Sequence, residues 1–214
     1  MAFTPVVAAA LSGASTRQLA YWRSANTSEP LLAPEHHRPR TRVTYSFRDV
    51  VALRTFVYLR SRQVPLQRIR KAVASLRKLG EIEHVSRYSL IAVGRDVVWR
   101  ASADELVELT HRPGQTVLAR MVDIFGPFVN MQNQNVVALR RPKPGISVDP
   151  GVRGGFPVVE GTRVPYDLVA SLLADGLDPH AVTAFYPTVS VEAARGAAEF
   201  ARYVDAFDRS PAAA

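Results

Sequence analysis

The chain has no cysteine among its 214 residues. Disulfides and thiolate metal sites are thereby excluded, and the composition fits a reducing compartment. Long apolar runs are also missing. The run from Val6 to Leu11 is too short for a signal-peptide core and has no basic residues before it. Nothing approaches the ~20 apolar residues of a membrane helix. The chain is expected to be soluble and cytoplasmic, with no membrane partner. Tryptophan is scarce, with only Trp22 and Trp99. Acidic residues are scarce in the first part: residues 1–88 hold fifteen Lys and Arg against five Asp and Glu, whereas residues 89–214 hold twelve against fourteen. The net charge of +8 therefore sits near the N-terminus. A positive field confined to one part of a chain suits a polyanion there and a different task elsewhere.

A catalytic constellation is absent too. His36, His37, His84, His111 and His180 are scattered. Only the first two are adjacent, and neighbours on an extended segment point to opposite sides. No serine sits in a nucleophile elbow, and there is no P-loop or dinucleotide fingerprint. Asp104, Glu105 and Glu108 cluster, but the first two fall in an expected first helical turn, where acids are favoured electrostatically. The expectation is a non-enzyme with no cofactor and no metal site.

What the sequence does hold begins with "FTPVVAAALSGASTRQLAYWR". Thr4 before Pro5 predicts an N-cap and a helix through Leu11, with Gly13 for its C-terminal turn. Ser15 with Gln18 predicts a capping box and a second helix. Two short helices around a tight glycine turn are a helix-turn-helix signature. In such a unit the N-terminal residues of the second helix reach base edges in the major groove, here Ser15, Thr16, Arg17 and Gln18. Arginine binds guanine bidentately and glutamine binds adenine. Leu19 and Trp22 would face the core, leaving Tyr21 and Arg23 for phosphates. The competing reading, of about equal weight on spacing alone, is an ordinary helical hairpin with a solvated polar face.

Residues 24–44, broken by Pro30, Pro34 and Pro39, are expected to be an extended basic connection or β wing, adding Arg38, Arg40 and Arg42 to the DNA contacts. Ser46 and Asp49 open a third helix, with Val50, Leu53 and Val57 on its apolar face. A fourth helix runs from about Leu66 to Leu79, its outward face carrying Arg68, Arg70, Lys71, Arg77 and Lys78. "YSLIAVGRDVVWR" predicts a β-hairpin, "SADELVEL" a short helix, and "GQTVLARMVDIF" a return to β structure. Three helices are expected after Gly155: one started by Pro165, one capped by Asp178-Pro179, and one opened by Ser190. The expected fold is mainly α with a small α+β middle unit. It divides into a winged helix-turn-helix domain at 1–80, the α+β unit at 81–130, a linker at 131–145 and a three-helix domain at 146–208.

Ser15, Leu19, Tyr21-Trp22-Arg23, Tyr45-Ser46, Asp49-Val50 and "VPLQRIRKAV" occur in an order that resembles the DNA-binding domain of the MerR family, over about residues 4–80. The resemblance implies a winged helix-turn-helix that binds operator DNA. Ala20 departs from it, standing where the family usually has a basic residue. The Gly-Tyr-Arg pattern of the family's wing is missing before Tyr45. The chain also turns β-like after Gly80, where the family's long dimerisation helix would begin.

Gly161-Thr162-Arg163-Val164-Pro165, the Leu-Ala-Asp-Gly run ending at Gly176, and Tyr186-Pro187 resemble the DUF433 family, over about residues 146–205. That family is a small helical domain commonly encoded beside PIN-like ribonucleases. The combination is similar to VapB-type antitoxins that accompany VapC toxins. It implies a DNA-binding antitoxin and autorepressor with a PIN-like toxin protein as partner. A homodimer is expected from the two-fold symmetry of palindromic operators. Arg163 reads equally as a buried organising arginine, a phosphate contact or a partner contact. Phe185, Tyr186, Phe200, Tyr203 and Phe207 read most simply as core, with Tyr186 a further candidate contact; any of them left exposed would mark a partner surface. The rival function is a ligand-sensing regulator without a toxin partner, hinted at by Trp99 and Phe125.

Overall fold

A computed structural model describes residues 2–24, 29–36, 42–78, 89–93, 96–100, 106–108 and 121–209. The fold among them is mainly helical, with small antiparallel sheets.

α1 (Pro5–Ser12) starts where Thr4 caps it, with Pro5 in the first turn, and stops at Gly13 in the left-handed conformation, φ 82°. A Cβ at Gly13 would lie 2.6 Å from Val136, so both backbone and space demand glycine. Residues Val7 to Ser12 are all buried, as expected of a helix apolar on every face. α1 lies between α3 (Phe47–Ser61) and α8 (Val191–Arg209). α2 (Thr16–Arg23) carries the full capping box between Ser15 and Gln18. α3 carries a second, between Ser46 and Asp49, and is buried from Asp49 to Leu59. α4 (Leu66–Lys78) buries Ile69, Ala72 and Val73.

Leu31 and Leu32 are buried, and their N–H groups donate to the Trp22 carbonyl at 2.8 and 3.2 Å. No strand forms among the described residues of 24–44, although Tyr45 pairs with Phe3 in an isolated bridge.

The expected hairpin is present. β1 (Ser89–Val93) pairs with β2 (Asp96–Arg100) from Ser89↔Arg100 to Val93↔Asp96. Two other expectations are corrected. The helix expected over "SADELVEL" is instead a strand, β3 (Leu106–Glu108), paired with β2 through Trp99↔Val107; residues 101–105 lie outside the described residues. A capping box is a local preference of about 1 kcal/mol, and the backbone ladder to β2 outweighs it. The β structure expected up to Phe125 gives way to a helical turn, α5 (Met121–Phe125). Its Ile124 is buried and its end is tied to α3 through Arg54. Tertiary packing overrides β propensity there.

β4 (Phe128–Val129) and β5 (Asn135–Val136) form a short hairpin. The stretch 131–145, a linker in sequence, is in space a packing element. Val136 and Leu139 are buried, and the chain runs so close to α8 that a Cβ on Gly196 would lie 1.9 Å from the Pro144 carbonyl oxygen. β6 (Ile146–Ser147) pairs with β7 (Val158–Val159). α6 (Tyr166–Ala174), α7 (Pro179–Phe185) and α8 follow with the expected starts; Asp178 caps α7 and the Ser190 hydroxyl accepts from Ala193 N–H.

One core runs through the N-terminal and C-terminal parts. Phe3, Phe156, Tyr166, Phe200, Tyr203 and Phe207 form a chain of rings with successive centroids 4.7 to 6.2 Å apart. Aromatic pairs at such spacing add to ordinary apolar burial.

Candidate nucleic-acid interface

α2 has one dry face and one wet face. Leu19 and Trp22 are buried, and the Trp22 ring meets Phe56 of α3 edge-on at 6.1 Å. The tryptophan is a packing residue, as its spacing from Leu19 predicts. Arg17, Ala20 and Tyr21 are exposed, Tyr21 by 56%. They share one face, because residues three and four apart on a helix are neighbours. Thr16 is half-buried at its edge.

Ser15 and Gln18 do structural work. The Gln18 N–H donates to the Ser15 hydroxyl at 3.1 Å, and the Ser15 N–H donates to Gln18 Oε1 at 2.9 Å. The Gln18 carbonyl oxygen is therefore engaged at the cap. Arg23 is half-buried, and its guanidinium lies beside the Tyr45 phenol. Burial raises that phenol's pKa above its ordinary value, and the arginine partly offsets the rise.

One cationic side chain is shown to reach the exposed face. Arg42 is exposed, whereas Arg38 and Arg40 lie outside the described residues. Arg70 of α4 crosses to α2, with its guanidinium 5.5 Å from the Tyr21 ring centre and one N–H donating to the Glu29 carbonyl at 3.4 Å. This contact holds Tyr21 by a cation–π interaction. Sequence reasoning placed Arg70 on the outward face of α4 but did not pair it with α2. Arg68 and Lys71 on α4 are exposed; the side chains of Arg77 and Lys78 lie outside the described residues.

The turn between α1 and α2 is clamped by side chains distant in sequence. An α-helix ends with unpaired carbonyls. Here Ala10 accepts from the Tyr203 hydroxyl at 3.0 Å, Leu11 from Arg54 at 2.5 Å, and Gly13 from the Asn130 side-chain amide at 2.9 Å. Arg54 is fully buried, and it also donates to Ile124, Gly126 and Val137 carbonyls. Its charge is spread over four backbone acceptors, and Phe128 lies under it at 4.9 Å. Burial lowers its pKa to about 10. Sequence reasoning missed Arg54. The signal was present, since Arg54 falls four residues after Val50 on the apolar stripe.

In the C-terminal part, Arg163 is exposed and lines a cleft with Arg140 and Arg141. Tyr186 is half-buried against the core. Phe200 and Phe207 are buried as expected, but Phe185 is 63% exposed, and Leu168 is 48% exposed. Phe125 packs against the core beneath Arg140.

Among the described residues, no group of three or more His, Asp or Glu could hold a metal ion, and no helix is long and apolar enough to cross a membrane.

Comparison with known proteins places family resemblances on these same elements. Residues 3–76, from the start of the α1 region into α4, match the family described as MerR HTH family regulatory protein. Residues 146–201, from β6 into α8, match the family described as Protein of unknown function (DUF433). Among solved structures, the chain is similar to the X-ray crystal structure of Rv2018 from Mycobacterium tuberculosis, at 17% identity and a TM-score of 0.51. That match covers 92% of this chain and all of the other. At this identity the likeness shows the fold alone. No curated protein matches the chain.

Proposed function

For a chain that carries a MerR-type helix-turn-helix domain at its N-terminus and a DUF433 domain at its C-terminus, we propose the function of a DNA-binding antitoxin. It represses its own operon and neutralises a PIN-like ribonuclease in the cytoplasm, and it performs no catalysis itself. The observation that carries the DNA reading is the solvent face of α2. Arg17 and Tyr21 stand on a helix whose other face is buried and whose start is fixed by a complete capping box.

Base readout falls to Thr16 and Arg17, with Ser15 and Gln18 holding the helix start in register. Tyr21, Arg23 and Arg42 supply phosphate contacts, with Arg38 and Arg40 on the same connection. Phosphate contacts set orientation, and base contacts set sequence. The protein acts as a homodimer, because one short reading helix samples too few base pairs and paired half-sites double the count.

The toxin reading rests on the pairing of the two domains. Exposed Phe185 and Leu168 give the C-terminal part apolar surface suited to a protein contact. Tyr186 and Arg163 lie in the same matched segment and are candidate contacts. Neutralisation proceeds by occluding the ribonuclease active site. The test is RNA cleavage by a PIN-like protein encoded beside this gene, titrated with this protein. Cleavage stops at a fixed stoichiometry if the reading holds. Unchanged cleavage, with no complex on gel filtration, removes the toxin from the account and leaves a DNA-binding regulator.

A further inference from the structure

A cleft of 580 Å³ opens where residues 140–141, β6 and the turn after β7 meet. Arg140, Arg141 and Arg163 line it, together with Asp149, Glu160 and Thr162. The three guanidiniums are held very differently. Arg141 pairs with Glu160 at 2.5 Å. Arg140 is 4.0 Å from Asp149, beyond hydrogen-bond length, but donates to the Val148 carbonyl at 3.4 Å and lies 5.3 Å from the ring centres of Phe47 and Phe125. Arg163 is exposed, and its guanidinium has no hydrogen-bond or carboxylate partner among the described residues. Arg153 donates to the Arg163 carbonyl at 3.3 Å.

Held by the Val148 carbonyl and against two rings, Arg140 is pre-organised, so binding there loses little side-chain entropy. Arg163 faces water with its full donor set unspent. A site with one fixed and one free guanidinium is built for an anion with several acceptor oxygens. The two carboxylates already present decide the class of anion. A lone carboxylate would bring one charge against two like charges and gain little over Asp149 and Glu160. A phosphate brings up to two charges and three acceptor oxygens, and so competes for Arg140 while engaging Arg163.

We propose that this cleft binds a phosphate group, with Arg163 and Arg140 as its principal donors. The assignment shares Arg163 with the toxin reading but does not rest on it. The phosphate belongs either to a free phosphorylated compound or to the backbone of DNA already held by α2, and the experiment separates the two.

The test uses the full chain and its Arg163→Gln variant, which removes an exposed charge and leaves the unliganded melting temperature unchanged. Pyrophosphate is titrated by calorimetry at constant ionic strength. In parallel, affinity for duplex DNA is measured across a salt series. A free phosphorylated ligand gives saturable pyrophosphate binding with Kd near or below ~1 mM, weakened at least ~tenfold in the variant. DNA backbone gives a variant whose affinity drops on all sequences and whose salt slope falls by about 1. Either result supports the site. If the substitution alters neither pyrophosphate binding nor the salt slope, the cleft does not bind phosphate and the proposal is overturned.

Discussion

The Tyr203 hydroxyl on the last helix donates to the Ala10 carbonyl on the first, 3.0 Å apart across 193 residues. The same hydroxyl accepts from the Val137 N–H at 3.4 Å. One side chain of α8 thus closes the end of the helix that leads into the turn before α2. Tyr203→Phe keeps the ring between Phe200 and Phe207 and removes only these bonds and the hydroxyl's longer contact to the Asn135 carbonyl at 3.4 Å. The expected loss is about 1–2 kcal/mol of stability, read as a lower denaturant midpoint with an unchanged slope.

Arg54 is a heavier stake. Its removal leaves buried carbonyls at Leu11, Ile124, Gly126 and Val137 without their donor. Arg54→Met retains most of the volume and should still cost ~3–5 kcal/mol. Arg54→Lys keeps the charge but not the planar fork, and should recover only part of the loss. Urea unfolding of the three proteins checks the order, wild type above lysine above methionine.

Gly196 sits within α8, where alanine would ordinarily be better by about 1 kcal/mol. The Pro144 carbonyl oxygen occupies the space its Cβ would need, at 1.9 Å. Overpacking of this kind costs ~1–3 kcal/mol, so Gly196→Ala is expected to destabilise in net. A stabilised variant in thermal melts would mean that the 140–145 segment yields at little cost.

Two buried phenols and one partly buried phenol set the alkaline limit. Burial pushes the Tyr203 pKa up to about 12 and raises those of Tyr45 and Tyr166 as well. The folded protein keeps these protons at a pH where the unfolded chain has released them. Their contribution is therefore complete below pH ~10 and is lost as pH rises through the folded values. Absorbance at 295 nm should show some of the seven tyrosines ionising only with unfolding, while circular dichroism is lost in the same step. Full ionisation near pH 10 with the fold intact would contradict this placement.

Much of the fold was legible in local chemistry. Thr4, Ser15, Ser46, Asp178 and Ser190 each mark a helix start that the structure realises. Trp22 was readable as core from its spacing to Leu19. The failures lie where distant contacts outweigh local preference. Leu106–Glu108 became a strand because β2 was there to pair with it, and Met121–Phe125 became helical against α3. Polar clustering and prolines made 131–145 read as a linker, and nothing local announced that Leu139 would be buried or Gly196 would meet Pro144. The candidate interface was half legible. Residue types named α2 as the candidate helix, but Arg70 over Tyr21 and the Gln18 side chain at the cap needed coordinates.

The central claim is that α2 reads sequence. Fluorescence anisotropy of the full chain on its own upstream duplex, against a scrambled duplex near physiological salt, tests it most directly. The expected result is ~10³-fold or greater preference for the native duplex. Arg17→Ala should cost ~1–3 kcal/mol on the native site and narrow that preference. Equal, salt-sensitive binding to both duplexes, unchanged in ratio by Arg17→Ala, would contradict the claim and leave only an electrostatic attraction to DNA.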